Sequence, residues 1–278
     1  MALAGLALAG SGAARAQVRL PTPAAGRFRL QGTLSQGGIA YGQIPAGTSL
    51  LRLDEAQVPF ATDGRFLIAF DRDAAPEARL GAVLAGGAPL DEAIAVAPRA
   101  WRIERLDSLA RIPQPGAEFL RIRGGELAAI AAARTQESAS EGWRGPFVWP
   151  ARGRISGLFG AQRIYRGEPG AYHGGTDIAL PEGTAIAAPA DGVVVLAATA
   201  PFTLEGNLLM IDHGIGLVSA FLHLSRIDVA LGDRIERGRV VGAVGRTGRA
   251  TGPHLHWGMT WQSSRIDPLL VAGPMPLS

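Results

Sequence analysis

From Phe28 to Ile112 the apolar residues come in short runs cut by turn residues: FRLQGTL, Gly37-Gly38, SLLRLD, Thr62-Asp63-Gly64, then FLIAFD. Runs of that length bounded by Gly and Asp predict strands, so residues 17–112 read as a small β domain. Phe66, Ile68 and Phe70 alternate with the equally apolar Leu67 and Ala69, which predicts a strand covered on both faces. After Pro113 and Pro115 the period changes. Phe119, Leu120, Ile122, Leu127 and Ile130 recur near helical spacing, and 113–140 read as a helical linker. Gly124 and Gly125 oppose that reading, since an interior Gly weakens a helix by about 1 kcal/mol relative to Ala.

Residues 141–275 return to short apolar runs, GVVVLAA, NLLMID, GLVSAFLHLS, RVVGAVG and HLHWGMT, nearly all separated by glycines. Nothing between them is long enough for a crossover helix, so an antiparallel β domain is expected. The fold class is therefore mainly β, a small β domain and a helical linker preceding a larger antiparallel domain. With 38 Gly and 19 Pro in 278 residues, the composition suits many turns and excludes a helical bundle or coiled coil.

Charge narrows the function by exclusion. The 27 basic and 24 acidic residues leave a net charge of +3 with no run of like charges, which gives no footprint for nucleic acid. No lysine occurs, so Schiff bases and acylated carrier lysines are excluded. Cysteine is also absent, which removes thiolate zinc sites and thiol nucleophiles. The opening MALAGLALAGSGAARA is a short apolar run ending in Ala14, Arg15, Ala16; residues 1–16 read as a signal peptide, although nothing cationic precedes Leu3. Export to the periplasm or cell envelope is the expectation. No run reaches the roughly 20 apolar residues of a membrane-spanning helix.

All five histidines, 173, 213, 223, 254 and 256, fall within the last 106 residues. His173 and Asp177 lie four apart in HGGTD, where two glycines argue for extended or looped chain, and an even separation there puts both side chains on one side. By the same parity His254 and His256 share one face of a strand, with Leu255, Trp257 and Met259 on the other. Two imidazoles and a carboxylate are a ligand set for catalytic zinc, so one histidine of the pair is left over to face substrate. Parity places His223 with Phe221 and Ser219. His213, in the turn-like IDHG, reads as a hydrogen-bonded structural histidine.

Taken together these residues resemble the M23 zinc metallopeptidases, the LytM or lysostaphin-type endopeptidases that cut peptides of bacterial peptidoglycan. The resemblance runs from Arg154 to Pro268 through SGLFGAQR, YHGGTDIALPEGTAIAAPADGVVV, GNLLMIDHGIGLVSAFLHLS, VALGDRIERGRVVGAVGRTGRATGPHLHWGM and RIDP. It implies a LytM-like fold, Zn²⁺ as cofactor, His173, Asp177 and His256 as its ligands, and His223 and His254 as catalytic histidines. Which of the two is the general base stays open. Phe221 stands where the family often has Tyr, and Trp257-Gly258 where an aromatic-Glu pair is frequent; neither removes a role-bearing group.

The resemblance implies zinc-assisted hydrolysis of cross-links or stem peptides, with peptidoglycan as partner. The rival is a non-catalytic LytM-type adaptor that activates another cell-wall hydrolase. A biotinyl or lipoyl carrier, suggested by VALGDRIERGRVVGAVG, fails for want of a lysine. The N-terminal region could dock on the wall, bind other cell-wall proteins, or occlude the site with a carbonyl or carboxamide.

Overall fold

A computed structural model describes residues 28–108 and 116–276; the signal peptide expected over 1–16 lies outside them. The first part holds β1 (Arg29–Gly32), β2 (Ile39–Gln43), β3 (Thr48–Leu53), β4 (Ala56–Gln57), β5 (Arg65–Ala69), β6 (Glu77–Leu84), β7 (Pro89–Ala95) and β8 (Ile103–Leu106). Helix α1 (Ala117–Arg134) follows. Then come β9 (Arg154–Gly157), β10 (Gln162–Tyr165), β11 (Glu168–Pro169), β12 (Gly175–Ala179), β13 (Ala185–Ala187), β14 (Gly192–Ala197) and β15 (Asn207–Asp212). The chain continues with β16 (Leu217–Leu224), β17 (Arg226–Ile227), β18 (Arg234–Ile235), β19 (Val240–Ala243), β20 (His254–Trp261), β21 (Ser264–Ile266) and α2 (Pro268–Ala272).

The fold is mainly β, as the periodicity predicts. An eight-stranded sheet dominates, ordered β18-β14-β15-β16-β20-β12-β9 with β21 added along β20, and every pairing in it is antiparallel. In the first part β1-β2-β5 and β4-β3-β6-β7 form two smaller sheets. In β5, Phe66, Leu67, Ile68 and Ala69 are all buried, which is the two-sided cover their unbroken apolar run demands.

The two parts share one core: a single cluster of buried side chains runs from Phe66 and Ile68 to Phe221, Leu255, Trp257 and Met259. β8 pairs in parallel with β10, so a strand from the first part is stitched into the second. Buried Arg72 donates from Nε to Gly160 O (3.0 Å) and from Nη2 to Gln162 Oε1 (3.1 Å), spanning the same boundary.

α1 forms through both Gly124 and Gly125, but its packed face is not the apolar stripe read from the sequence. Leu120, Ile122 and Leu127 are exposed, whereas Glu126, Ile130 and Ala133 are buried. Ile130 and Ala133 pack on Val195, Leu208, Met210 and Val218 of the large sheet. The other half of the helix is held by ions: Arg123 donates to both oxygens of Glu205 (2.5 and 2.7 Å) and to Glu126 (2.9 Å). Glu126 in turn accepts from the N–H and hydroxyl of Thr203. Ion pairs set the rotation of this helix, and a hydrophobicity pattern cannot register them.

Candidate metal and catalytic site

The register of β12 against β20 puts Asp177 directly opposite His256, and that of β16 against β20 puts Leu222 there on the other side. Directly opposed residues project from the same face, so Asp177, His256 and Leu222 lie together. Parity holds along β20: Leu255, Trp257 and Met259 are fully buried, while the side chains of His254 and His256 keep 17% and 14% of their surface. Gly175 permits the close approach of β12, since a Cβ there would sit 2.7 Å from His256 Nε2 and 2.5 Å from Trp257 O.

His173 lies in the segment entering β12. Its Nδ1–H donates to Leu158 O (3.0 Å), which leaves the lone pair of Nε2 facing Asp177 Oδ1 (3.0 Å) and His256 Nδ1 (3.0 Å). His256 Nδ1 is also 2.8 Å from Asp177 Oδ1. Burial works to raise the Asp177 carboxyl, but hydrogen bonds and charge from His173 and His256 prevail and hold it well below the usual carboxylate range. Burial disfavours charge on His173, yet Asp177 outweighs it and raises that pKa. His256 is pulled down, chiefly by burial. Three donor atoms thus converge where a neutral His173 would point a lone pair at an anion, an arrangement that calls for a cation between them.

His223 departs from the parity reading. In the sheet Ser219 and Phe221 face the buried side, and strict alternation would send His223 with them. Instead the β15–β16 register shifts between Asn207 and Leu209, and His223 takes a left-handed backbone with φ of 65°. This bulge turns the ring to the open face, its centroid 4.8 Å from that of His254 and 6.3 Å from that of His256. Such a conformation costs a non-Gly residue about 1 to 2 kcal/mol, and here it is held from both ends. His223 N–H donates to Glu205 O (2.8 Å) and its Nδ1–H to Thr247 O (2.8 Å).

Burial lowers the His223 pKa to about 4; the Thr247 carbonyl opposes the shift and the neighbouring histidines add to it. His254 Nδ1 donates to Gly252 O (2.9 Å), leaving Nε2 3.8 Å from Asp177 Oδ1. Both rings therefore turn Nε2 toward the cluster. His213 is elsewhere: it is fully buried, with Nδ1 bonded to Asp191 O (2.8 Å) and Nε2 to Ser219 Oγ (2.9 Å).

Residues from the preceding part support the site. Asp71 accepts from Tyr172 OH (2.9 Å) through Oδ1 and from Arg265 N (2.9 Å) through Oδ2. His173 is bracketed by Gly160 N–H on its carbonyl (2.8 Å) and Ala161 O on its amide (2.8 Å), and Arg72 holds Gly160. Asp71, Arg72, Arg123 and Glu205 escape a reading of spacing because their partners lie about 80 to 190 residues away. Among the described residues, the hydrogen bonds recorded for His173 Nε2, Asp177 Oδ1 and His256 Nδ1 are with one another.

Comparison with known proteins agrees with this geometry. Residues 171–268 match the family model for Peptidase family M23. Over 126 residues the chain is 38% identical to the peptidoglycan DD-endopeptidase ShyA of Vibrio cholerae, covering 45% of this chain and 29% of that protein. It is 39% identical over 127 residues to the DD-carboxypeptidase/endopeptidase Mpg of Neisseria meningitidis, covering 44% and 28%. The matched part thus spans less than a third of these curated relatives. A solved structure from Pseudomonas aeruginosa, described as a peptidase M23, superposes with a TM-score of 0.67 at 29% identity, covering 87% of this chain and 96% of that one.

Proposed function

We propose that this chain, whose residues 171–268 match Peptidase family M23, is an exported zinc endopeptidase that hydrolyses cross-links or stem peptides of peptidoglycan. The observation that carries the reading is the convergence of His173 Nε2, Asp177 Oδ1 and His256 Nδ1 within 3.0 Å of one another. Two imidazoles and a carboxylate suit a catalytic zinc, which keeps a position open for water. Zinc bound there would polarise the scissile carbonyl and lower the pKa of water toward 7.

The remaining work falls to the chain. The carbonyls of Leu158, Gly252 and Thr247 fix the tautomers of His173, His254 and His223, so that each Nε2 faces the cluster. His223 and His254 stand within reach of one substrate atom, one to accept the proton of the attacking water and the other to hydrogen-bond the carbonyl oxygen and return a proton to the leaving amine. With its pKa lowered to about 4 by burial, the His223 ring is unprotonated in the neutral range and its Nε2 is free to accept a hydrogen bond.

The test is digestion of purified, cross-linked peptidoglycan by the zinc-loaded chain beside its His256→Ala variant, with muropeptides read by mass spectrometry and zinc measured in both. Loss of cross-linked dimers with the wild type alone is expected. A fully loaded protein that cuts nothing would favour the adaptor. Absence of zinc would overturn the ligand assignment.

A further inference from the structure

We propose that Arg134 and Arg265 form an anion subsite beside the His/Asp cluster that takes a free carboxylate of the peptide substrate; the proposal rests on the peptidase reading above. Arg265 lies on β21 directly opposite Thr260, which by alternation shares the face of His254 and His256. Its side chain runs along the segment that carries His173: a Cβ on Gly174 would be 3.3 Å from Arg265 Cδ and 3.4 Å from Nε. The guanidinium is stacked 5.2 Å above the Tyr172 ring. Asp71, which bonds both Tyr172 OH and Arg265 N–H, fixes this placement from behind.

Arg134 approaches from the opposite side. It ends α1 next to Ala133 and four residues after Ile130, the two residues that pack on Val218. Val218 is opposite Thr260, and Thr260 is opposite Arg265, so the two arginines flank one point of the sheet. Helical side chains lean toward the N-terminus of their helix, which directs Arg134 back along the groove toward the end where Arg123 grips Glu205 and Glu205 O holds His223.

The state of these groups is what an anion would resolve. Arg134 Nε is buried and has no hydrogen-bond partner. Burial lowers the Arg134 pKa, the positive charge of Arg265 lowers it further, and Glu205 opposes both. Glu205 is already engaged by Arg123 through both oxygens, and neither Arg134 nor Arg265 has a carboxylate partner among the described residues. Two guanidinium forks that repel one another beside the His/Asp cluster match the planar, two-oxygen geometry of a carboxylate. That group can come from the chain end of the substrate or from an acidic side chain.

Isothermal titration of the zinc-loaded full chain with three synthetic stem-peptide dimers distinguishes the sources: one with all carboxylates free, one amidated at the chain end, one amidated at the side chain. Amidation of the recognised carboxylate is expected to weaken binding about tenfold or more, the worth of a charge-assisted hydrogen bond. Arg134→Gln and Arg265→Gln should each bring the three dimers to near-equal affinity with unchanged zinc content. Arg134→Lys, which keeps the charge and loses the fork, should fall between. Equal binding of the three dimers by wild type, no measurable binding of any, or a preference retained in both Gln variants would overturn the subsite. Hydrolysis followed in parallel separates the two readings, since a carboxylate preference in binding with no dimer cut would retain the subsite and remove the peptidase.

Discussion

The two faces of the large sheet use the same residue type to opposite ends. On the closed face His213 is fully buried and both ring nitrogens are bonded, to Asp191 O and Ser219 Oγ, while Trp257 Nε1 shares that hydroxyl at 3.2 Å. On the open face His173, His223 and His254 each spend Nδ1 on a backbone carbonyl and keep Nε2 for the groove. Burial does not separate the two kinds, because His223 is itself only 7% exposed. What separates them is where the second nitrogen goes: in His213 to a core hydroxyl, in the others toward the cluster around Asp177.

The largest effect expected of this contrast is in activity. His256→Ala should reduce peptidoglycan hydrolysis to background and abolish stoichiometric zinc, while the melting temperature of the zinc-free protein stays near that of wild type. If this variant unfolds, the open face is structural and the contrast fails. Trp257→Ala, one residue along and facing the other way, should instead destabilise the fold by about 3 to 5 kcal/mol, read by urea denaturation, because it empties the centre of the shared core.

His213 supplies a pH test. Burial lowers its pKa to about 4 in the folded chain, against 6.5 when exposed, so the unfolded chain binds that proton more tightly. The stability this neutral ring secures is full above about pH 6.5 and is lost as pH falls toward 4, by about 3 kcal/mol at most. Urea unfolding at pH 7 and pH 4.5 should show the loss, and His213→Gln should flatten it. Arg123→Ala should lower kcat about tenfold at unchanged zinc content by freeing Glu205, whose carbonyl holds the His223 bulge. The smallest effect is a gain: Gly124→Ala, in open space on α1, should stabilise by about 1 kcal/mol.

Period-two alternation made β20 legible, histidines on one side and Leu255, Trp257 and Met259 on the other, because a straight strand obeys it. The same rule misplaces His223, since a bulge inserts a residue into the count and leaves no mark in composition. Helical spacing misjudges α1 in turn, whose orientation depends on an ion pair between Arg123 and Glu205, 82 residues apart. His173 with Asp177, and His254 with His256, could be singled out by spacing because HGGTD and HLH are local, whereas the choice of His256 over His254 as a ligand is what the family resemblance implies. Asp71, Arg134 and Arg265 could not be singled out, because each matters only through what the fold brings beside it.

Asp71 lies a hundred residues before the segment that matches the peptidase family, yet it holds Tyr172 and Arg265 beside the cluster of His173, Asp177 and His256. Grafting residues 171–268 alone onto another leader would transfer every donor atom and leave behind the carboxylate that aligns their surroundings. What looks like a portable cassette in one dimension is, in this protein, a joint inheritance of two stretches of chain.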